Sequence, residues 1–142
     1  MKPNLCSLTL GVVLLASSAT VFAQTPPFAG GPKITCEQAL AEAPKDDKSL
    51  LPLDKAYRSA EVAMKKKPKD AKLKKSFVEA AFKYGHFVTF KENALGPKVK
   101  YRAGLALYRK ALAVDPKHVE SLKEKKTIED IYTTSLHVPI PN

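Results

Sequence analysis

Prolines divide this chain into stretches of helix length. Pro44, Pro52, Pro68, Pro97 and Pro116 stand at or near the ends of segments rich in good helix formers. Proline fits the first turn of a helix but ends one elsewhere, because it lacks an amide hydrogen and restricts the residue before it. Between the prolines, apolar residues recur at three- and four-residue steps, and no segment has the alternation typical of a strand. The chain is therefore predicted to be all-α.

Five helices are expected within one domain, residues 35–136. Their predicted limits are Thr35 (as N-cap) to about Ala43, Leu51 to Lys67, Asp70 (as N-cap) to about Lys91, Pro97 to the residue before Asp115, and about His118 to Thr133. Thr35 and Gln38 fit a capping box, and Pro44 is expected to end the first helix before a charged loop. The fourth helix is expected to have one apolar face, and the fifth to be amphipathic only in its second half. Residues 137–142 are predicted to be an extended tail.

The first residues resemble an export signal. A basic start is followed by a mostly apolar run from Leu5 to Ala23, with small residues before a predicted cleavage site after Ala23. The alternative is a retained membrane anchor, although three hydroxyl residues weaken the second half of the run. Residues 1–23 are thus predicted to be a signal peptide, and residues 24–34 a flexible linker rich in Pro and Gly. The mature protein would be periplasmic or secreted.

Removal of the signal would leave Cys36 as the only cysteine, so an intramolecular disulfide is not expected. A lone thiol in an oxidising compartment could cross-link two chains. The favoured interpretation is a buried helical stripe of Cys36, Ala39, Leu40 and Ala43, because free cysteine behaves as a small apolar residue.

The charge of the chain is strongly positive and comes mainly from lysine. The formal net charge is +10, and loss of Lys2 with the signal leaves +9. Lysine lacks the planar fork with which arginine reads bases and phosphates, so no specific nucleic-acid binding is expected. The predicted partners are anionic in a general way.

An internal repeat relates the second and fourth predicted helices. Ala56, Ala60, Ala63 and Pro68 recur, at a constant offset of 48, as Gly104, Tyr108, Ala111 and Pro116. Small residues at such positions let helices approach closely, and proline ends each copy. The segment GLALYRKALAVDPKHVESL resembles the second helix and exit of a tetratricopeptide repeat, and AYRSAEVAMKKKPKDAKLKKSF is a looser copy. The resemblance spans about Leu53 to Tyr132 and implies antiparallel helical hairpins, a fragment of a tetratricopeptide-like α-solenoid.

The sequence carries no recognisable catalytic or cofactor motif. His86, His118 and His137 stand in separate segments without partners at metal-ligand spacing, so no metal site or cofactor is expected. Acidic residues are dispersed among lysines, which favours a solvated surface over an acid/base pair. An enzyme is not expected.

A run of lysines around Pro68 leads into one stripe of the third helix. The stripe comprises Lys72, Lys75, Ser76, Glu79, Phe82 and Lys83. In tetratricopeptide-like proteins the corresponding stripe lines the concave ligand groove, so the resemblance implies a groove for an acidic peptide or protein. The alternative is a basic helical protein that adheres to anionic lipid or polysaccharide without a defined groove, with weak association to membrane surfaces. The sequence leaves the oligomeric state open.

Overall fold

A computed structural model describes residues 34–91 and 94–142, so the predicted signal peptide and nearly all of the predicted linker lie outside the described residues. Every regular element in the described part is helical. The helices are α1 (Cys36–Asp46), α2 (Leu51–Lys66), α3 (Ala71–Phe90), α4 (Pro97–Val114) and α5 (Val119–Asp130). A 3-10 turn (Lys48–Leu50) precedes α2, and a π-helical turn (Ile131–Ser135) follows α5. The all-α prediction is confirmed.

Most helix ends follow the predicted signals. Thr35 and Gln38 form the capping box, with Gln38 N–H donating to the Thr35 hydroxyl at 3.1 Å. The Asp70 carboxylate accepts the backbone N–H groups of Lys72 and Leu73 at 2.9 and 3.1 Å, which satisfies donors left free in the first turn of α3. The N-cap of α5 was not foreseen, because it is the His118 imidazole, which accepts from Ser121 N–H at 3.2 Å.

The predicted end of α1 at Ala43 is wrong. The helix continues through Pro44 to Asp46, and Pro44 itself is buried. Proline removes one helical hydrogen bond, but it sits in the last turn, where the Asp47 N–H still bonds the Ala43 carbonyl at 3.0 Å. We expect burial of the apolar ring to offset the missing bond.

Helix α4 is the centre of the domain. It packs against α1, α3 and α5, while α2 packs chiefly on α3. All six residues from Ala103 to Tyr108 are buried, so α4 has no solvent side there, in contrast to the single apolar face predicted. The cause is α1, which covers the side of α4 that the sequence pattern left open.

Close approach explains the glycines of α3 and α4. A Cβ at Gly104 would overlap Oγ1 of Thr89 and lie 3.2 Å from Cδ1 of Ile128. A Cβ at Gly85 would lie 2.7 Å from Cε1 of Tyr108. The three helices α3, α4 and α5 therefore meet where only glycine leaves room for the neighbouring side chains.

The C-terminal segment folds back over α1 and α4. Cys36 N–H donates to the Asn142 carbonyl at 2.8 Å, and Arg109 donates to the Pro141 carbonyl at 2.9 Å. Val138 and Ile140 are half-buried against the core. The segment is thus irregular but held in place.

Candidate functional site

A groove of about 510 Å³ lies between α2 and α3. Five of the six residues of the predicted stripe line it: Lys72, Lys75, Ser76, Glu79 and Lys83. They stand together because steps of three and four residues return to the same side of a helix. From Lys72 to Lys83 the stripe extends about 16 Å along α3, at about 1.5 Å per residue.

The groove combines a basic rim with a small apolar floor. The rim lysines Lys72, Lys75 and Lys83 are exposed, and none of them forms a salt bridge with another described residue. The floor and the opposite wall are formed by Leu53, Ala56 and Ala80. The arrangement offers three ammonium groups to a ligand that also buries apolar surface.

Phe82, the sixth residue of the predicted stripe, does not line the groove. Ala80 and Phe82 are two residues apart, which places them about 160° apart around a helix. Ala80 faces α2, whereas Phe82 turns to α4 and α5, where its ring centroid lies 6.3 Å from that of Tyr108 and 5.4 Å from that of His118. The predicted stripe is therefore split between the groove and the packing of α5.

Glu79 lies between the groove and the α4–α5 connection. Its carboxylate lines the groove and also a smaller pocket of about 320 Å³ that contains Lys74 and His118. Oε1 of Glu79 is 3.8 Å from Nε2 of His118, and Oε2 of Glu120 is 3.6 Å from the same nitrogen. Glu79 stands four residues from both Lys75 and Lys83, so the groove carries one carboxylate among its three lysines.

A half-buried polar cluster joins α3, α4 and α5 behind Phe82. The Tyr108 hydroxyl donates to Oε2 of Glu124, and Nδ1 of His86 lies 2.7 Å from Oε1 of the same carboxylate. Because an ionised carboxylate only accepts, Nδ1 of His86 carries the proton in this contact. Burial, followed by the bond to and charge of Glu124, raises the pKa of Tyr108 far above its usual range, so the phenol stays a donor. The cluster ties three helices together.

Sequence reasoning missed this cluster. Glu124 is 16 residues from Tyr108 and 38 from His86, so no local spacing links them. One signal was present: Glu124 stands one helical turn before Ile128, on the inward stripe of an otherwise polar helix. An acidic residue at an inward position indicates a buried partner.

Cys36 lies in the buried stripe predicted for α1, together with Ala39, Leu40 and Ala43. Its Sγ is 3.5 Å from the Arg109 guanidinium and is covered by the C-terminal segment. Burial raises the pKa of the Cys36 thiol, against the opposing effect of Arg109. The buried interpretation of this cysteine, rather than an exposed cross-linking thiol, agrees with the structure.

Within residues 34–91 and 94–142, no three His, Cys, Asp or Glu side chains come together in a way that could hold a metal ion. Nor does any helix of that part combine the length and apolarity needed to cross a bilayer. Comparison with protein-family models, curated proteins and solved structures gives no match to the chain.

Proposed function

We propose that this chain is an exported helical protein that binds an acidic peptide or protein segment in the groove between α2 and α3. The observation that carries the proposal is the convergence of Lys72, Lys75 and Lys83 on one groove with an apolar floor. Ammonium groups without carboxylate partners in the described part of the chain are available to a carboxylate ligand, and such charge-assisted contacts are stronger than neutral ones.

The size of the groove favours a chain segment over a single small ion. Its volume of about 510 Å³ lies inside the range of about 300–1,000 Å³ typical of ligand sites. Three rim charges spread over about three helical turns match a ligand with several acidic groups at similar spacing.

The packing of α3 against α4 supports the proposal that these two helices form one complete tetratricopeptide-like repeat, with α2 as a leading half and α5 as a trailing half. The offset of 48 places Ala63 and Ala111 at equivalent points of α2 and α4, each one helical turn and a half before the proline that follows the helix. Ala111 is fully buried, while Ala63 is half-exposed at the edge of the domain. Helix α1, which packs on α4, stands outside this repeat.

Export is proposed on the pattern of residues 1–23, a basic start followed by an apolar run and small residues. A binding role is preferred to a catalytic one because, among the described residues, no hydrogen bond joins the Ser76 hydroxyl of the groove to the Glu79 carboxylate or to another base.

The proposal is tested with a fluorescein-labelled peptide of Glu, Ala and Leu, titrated with the purified protein at about 0.15 M ionic strength and followed by fluorescence anisotropy. The double variant Lys72→Glu with Lys75→Glu should weaken binding at least about tenfold, because attraction becomes repulsion at the groove. The fold should be retained, since exposed lysines contribute little to stability.

A matched control reverses two exposed lysines elsewhere, Lys117→Glu with Lys123→Glu. If the peptide binds in the groove between α2 and α3, this control should bind it nearly as well as the parent protein does. Equal losses in the two double variants, together with binding of the parent to vesicles of phosphatidylglycerol and phosphatidylcholine, would favour diffuse adhesion and overturn the proposal.

A further inference from the structure

The internal repeat extends beyond the residues that first reveal it. At the same offset of 48, Ala80 corresponds to Ile128 and Ser76 to Glu124. Gly104 lies against Ile128 in the second copy, and Ala56 lines the same groove as Ser76 and Ala80 in the first. We can therefore compare which element packs over the equivalent positions in the two hairpins.

In the α4–α5 hairpin these positions are covered by a helix. Thr89 of α3 lies against Gly104, whose missing side chain also leaves room for Ile128. His86 of α3 reaches Glu124 at 2.7 Å. Helix α3 thus sits in the angle between α4 and α5 and contacts both.

In the α2–α3 hairpin the equivalent positions line the open groove. Ala56 and Ser76 are exposed, and Ala80 is half-buried. Helix α1 precedes α2 in the chain as α3 precedes α4, so α1 would be the helix expected to cover Ala56, Ser76 and Ala80. Helix α1 packs mainly on α4 instead. Within the described residues, no helix therefore packs on α2–α3 in the way that α3 packs on α4–α5.

The chemistry of the groove indicates which helix would fit there. Ala56 and Ala80 are small, so a helix backbone can approach closely, as α3 does at Gly104. Lys75 and Lys83 stand eight residues apart, about 12 Å along α3. Carboxylates on one side of a docked helix, repeated every seven or eight residues, would meet both lysines, while small apolar residues on the adjacent side would pack on the floor.

We propose that the occupant of the groove is an amphipathic α-helix of a partner protein, carrying Asp or Glu beside a small apolar face, and that it packs on α2–α3 as α3 packs on α4–α5. This inference rests on the proposed function and deepens it, because it specifies the conformation of the acidic ligand as well as its charge. Recognition is then of the helix-in-groove kind.

The test compares two labelled peptides of equal composition and charge, each about 18 residues long, or about five helical turns. Both contain Glu, Ala, Leu and two prolines. One keeps the prolines at its ends and forms a helix, whereas the other has them in the middle, where they break it. The helical peptide should bind at least about tenfold more tightly, because it does not have to be ordered on binding.

Two variants locate the binding surface. Ala56→Trp fills the floor of the groove at an exposed position, so it should abolish binding of the helical peptide without unfolding the protein. Ala113→Trp adds the same side chain to an exposed site on α4 and should leave binding unchanged. Far-ultraviolet circular dichroism checks that both variants are folded.

The outcomes separate this inference from the proposed function. Equal affinity for the two peptides, with loss of both in the Lys72→Glu and Lys75→Glu double variant, would overturn the helical ligand and leave the acidic one. Absence of binding by either peptide would overturn both. Self-association of the parent in sedimentation velocity that disappears in Ala56→Trp would show that a second copy occupies the groove, and would also overturn the proposal.

Discussion

Replacement of Gly104 by alanine tests the close contact of α3, α4 and α5. In a free helix this change is favourable, because alanine exceeds glycine in helix propensity by about 0.8–1 kcal/mol. Here the added methyl would overlap Oγ1 of Thr89 and press on Ile128 at 3.2 Å. Thr89 is buried and β-branched, so its side chain has few rotamers in which to move away.

The two effects oppose each other, and the steric one should dominate. Overpacking a well-packed core costs about 1–3 kcal/mol. After subtraction of the propensity gain, Gly104→Ala should lower the free energy of unfolding by up to about 2 kcal/mol. For a domain of about 100 residues, 1 kcal/mol corresponds to about 4 °C in Tm.

Urea denaturation followed by circular dichroism measures this loss. The variant Thr89→Ala removes the obstructing hydroxyl, so in that background Gly104→Ala should be better tolerated, with a coupling energy of about 1 kcal/mol or more. If Gly104→Ala stabilises the protein by about 1 kcal/mol with Thr89 intact, the contact does not constrain this position and the reasoning fails.

Two further substitutions probe the packing. Ala111→Trp should unfold or severely loosen the domain, because Ala111 is fully buried in α4. The equivalent change Ala63→Trp should cost less than about 1 kcal/mol, because Ala63 lies half-exposed at the domain edge. Equal Tm values for the two variants would contradict this. Glu124→Ala should lower the free energy of unfolding by about 1–3 kcal/mol, because the buried Tyr108 hydroxyl loses its acceptor. A calorimetric scan that matches the parent would show that water replaces the carboxylate without cost.

Local signals in the sequence were sufficient to locate most helix ends. Asp70 and Thr35 accept hydrogen bonds as caps because their partners lie only two or three residues away. The end of α1 was not predictable from Pro44 alone, because continuation of the helix depends on burial of the proline ring, which is a property of the tertiary fold. The second buried side of α4 was missed for the same reason, since it depends on where α1 packs.

The candidate site was predictable in part. Helical spacing was enough to bring Lys72, Lys75 and Lys83 to one side of α3. The spacing did not determine which residues of the predicted stripe face α2 and which face α5. Phe82 faces the start of α5, where its ring lies near His118. The contacts of Glu124 with Tyr108 and His86 join distant segments, so only the packed structure brings them together.

The position of α2 at the edge of the domain has a consequence for how the groove responds to a ligand. Within α2 only Tyr57 is buried, and the helix packs chiefly on α3, whereas α4 is enclosed on several sides. Free energies of local opening follow such differences in buried contact, so α2 opens more readily than α4. For the proposed ligand we therefore expect one adjustable wall and one fixed wall. Helix α2 would shift to admit side chains of different size, while α3 would keep the spacing of the lysines constant.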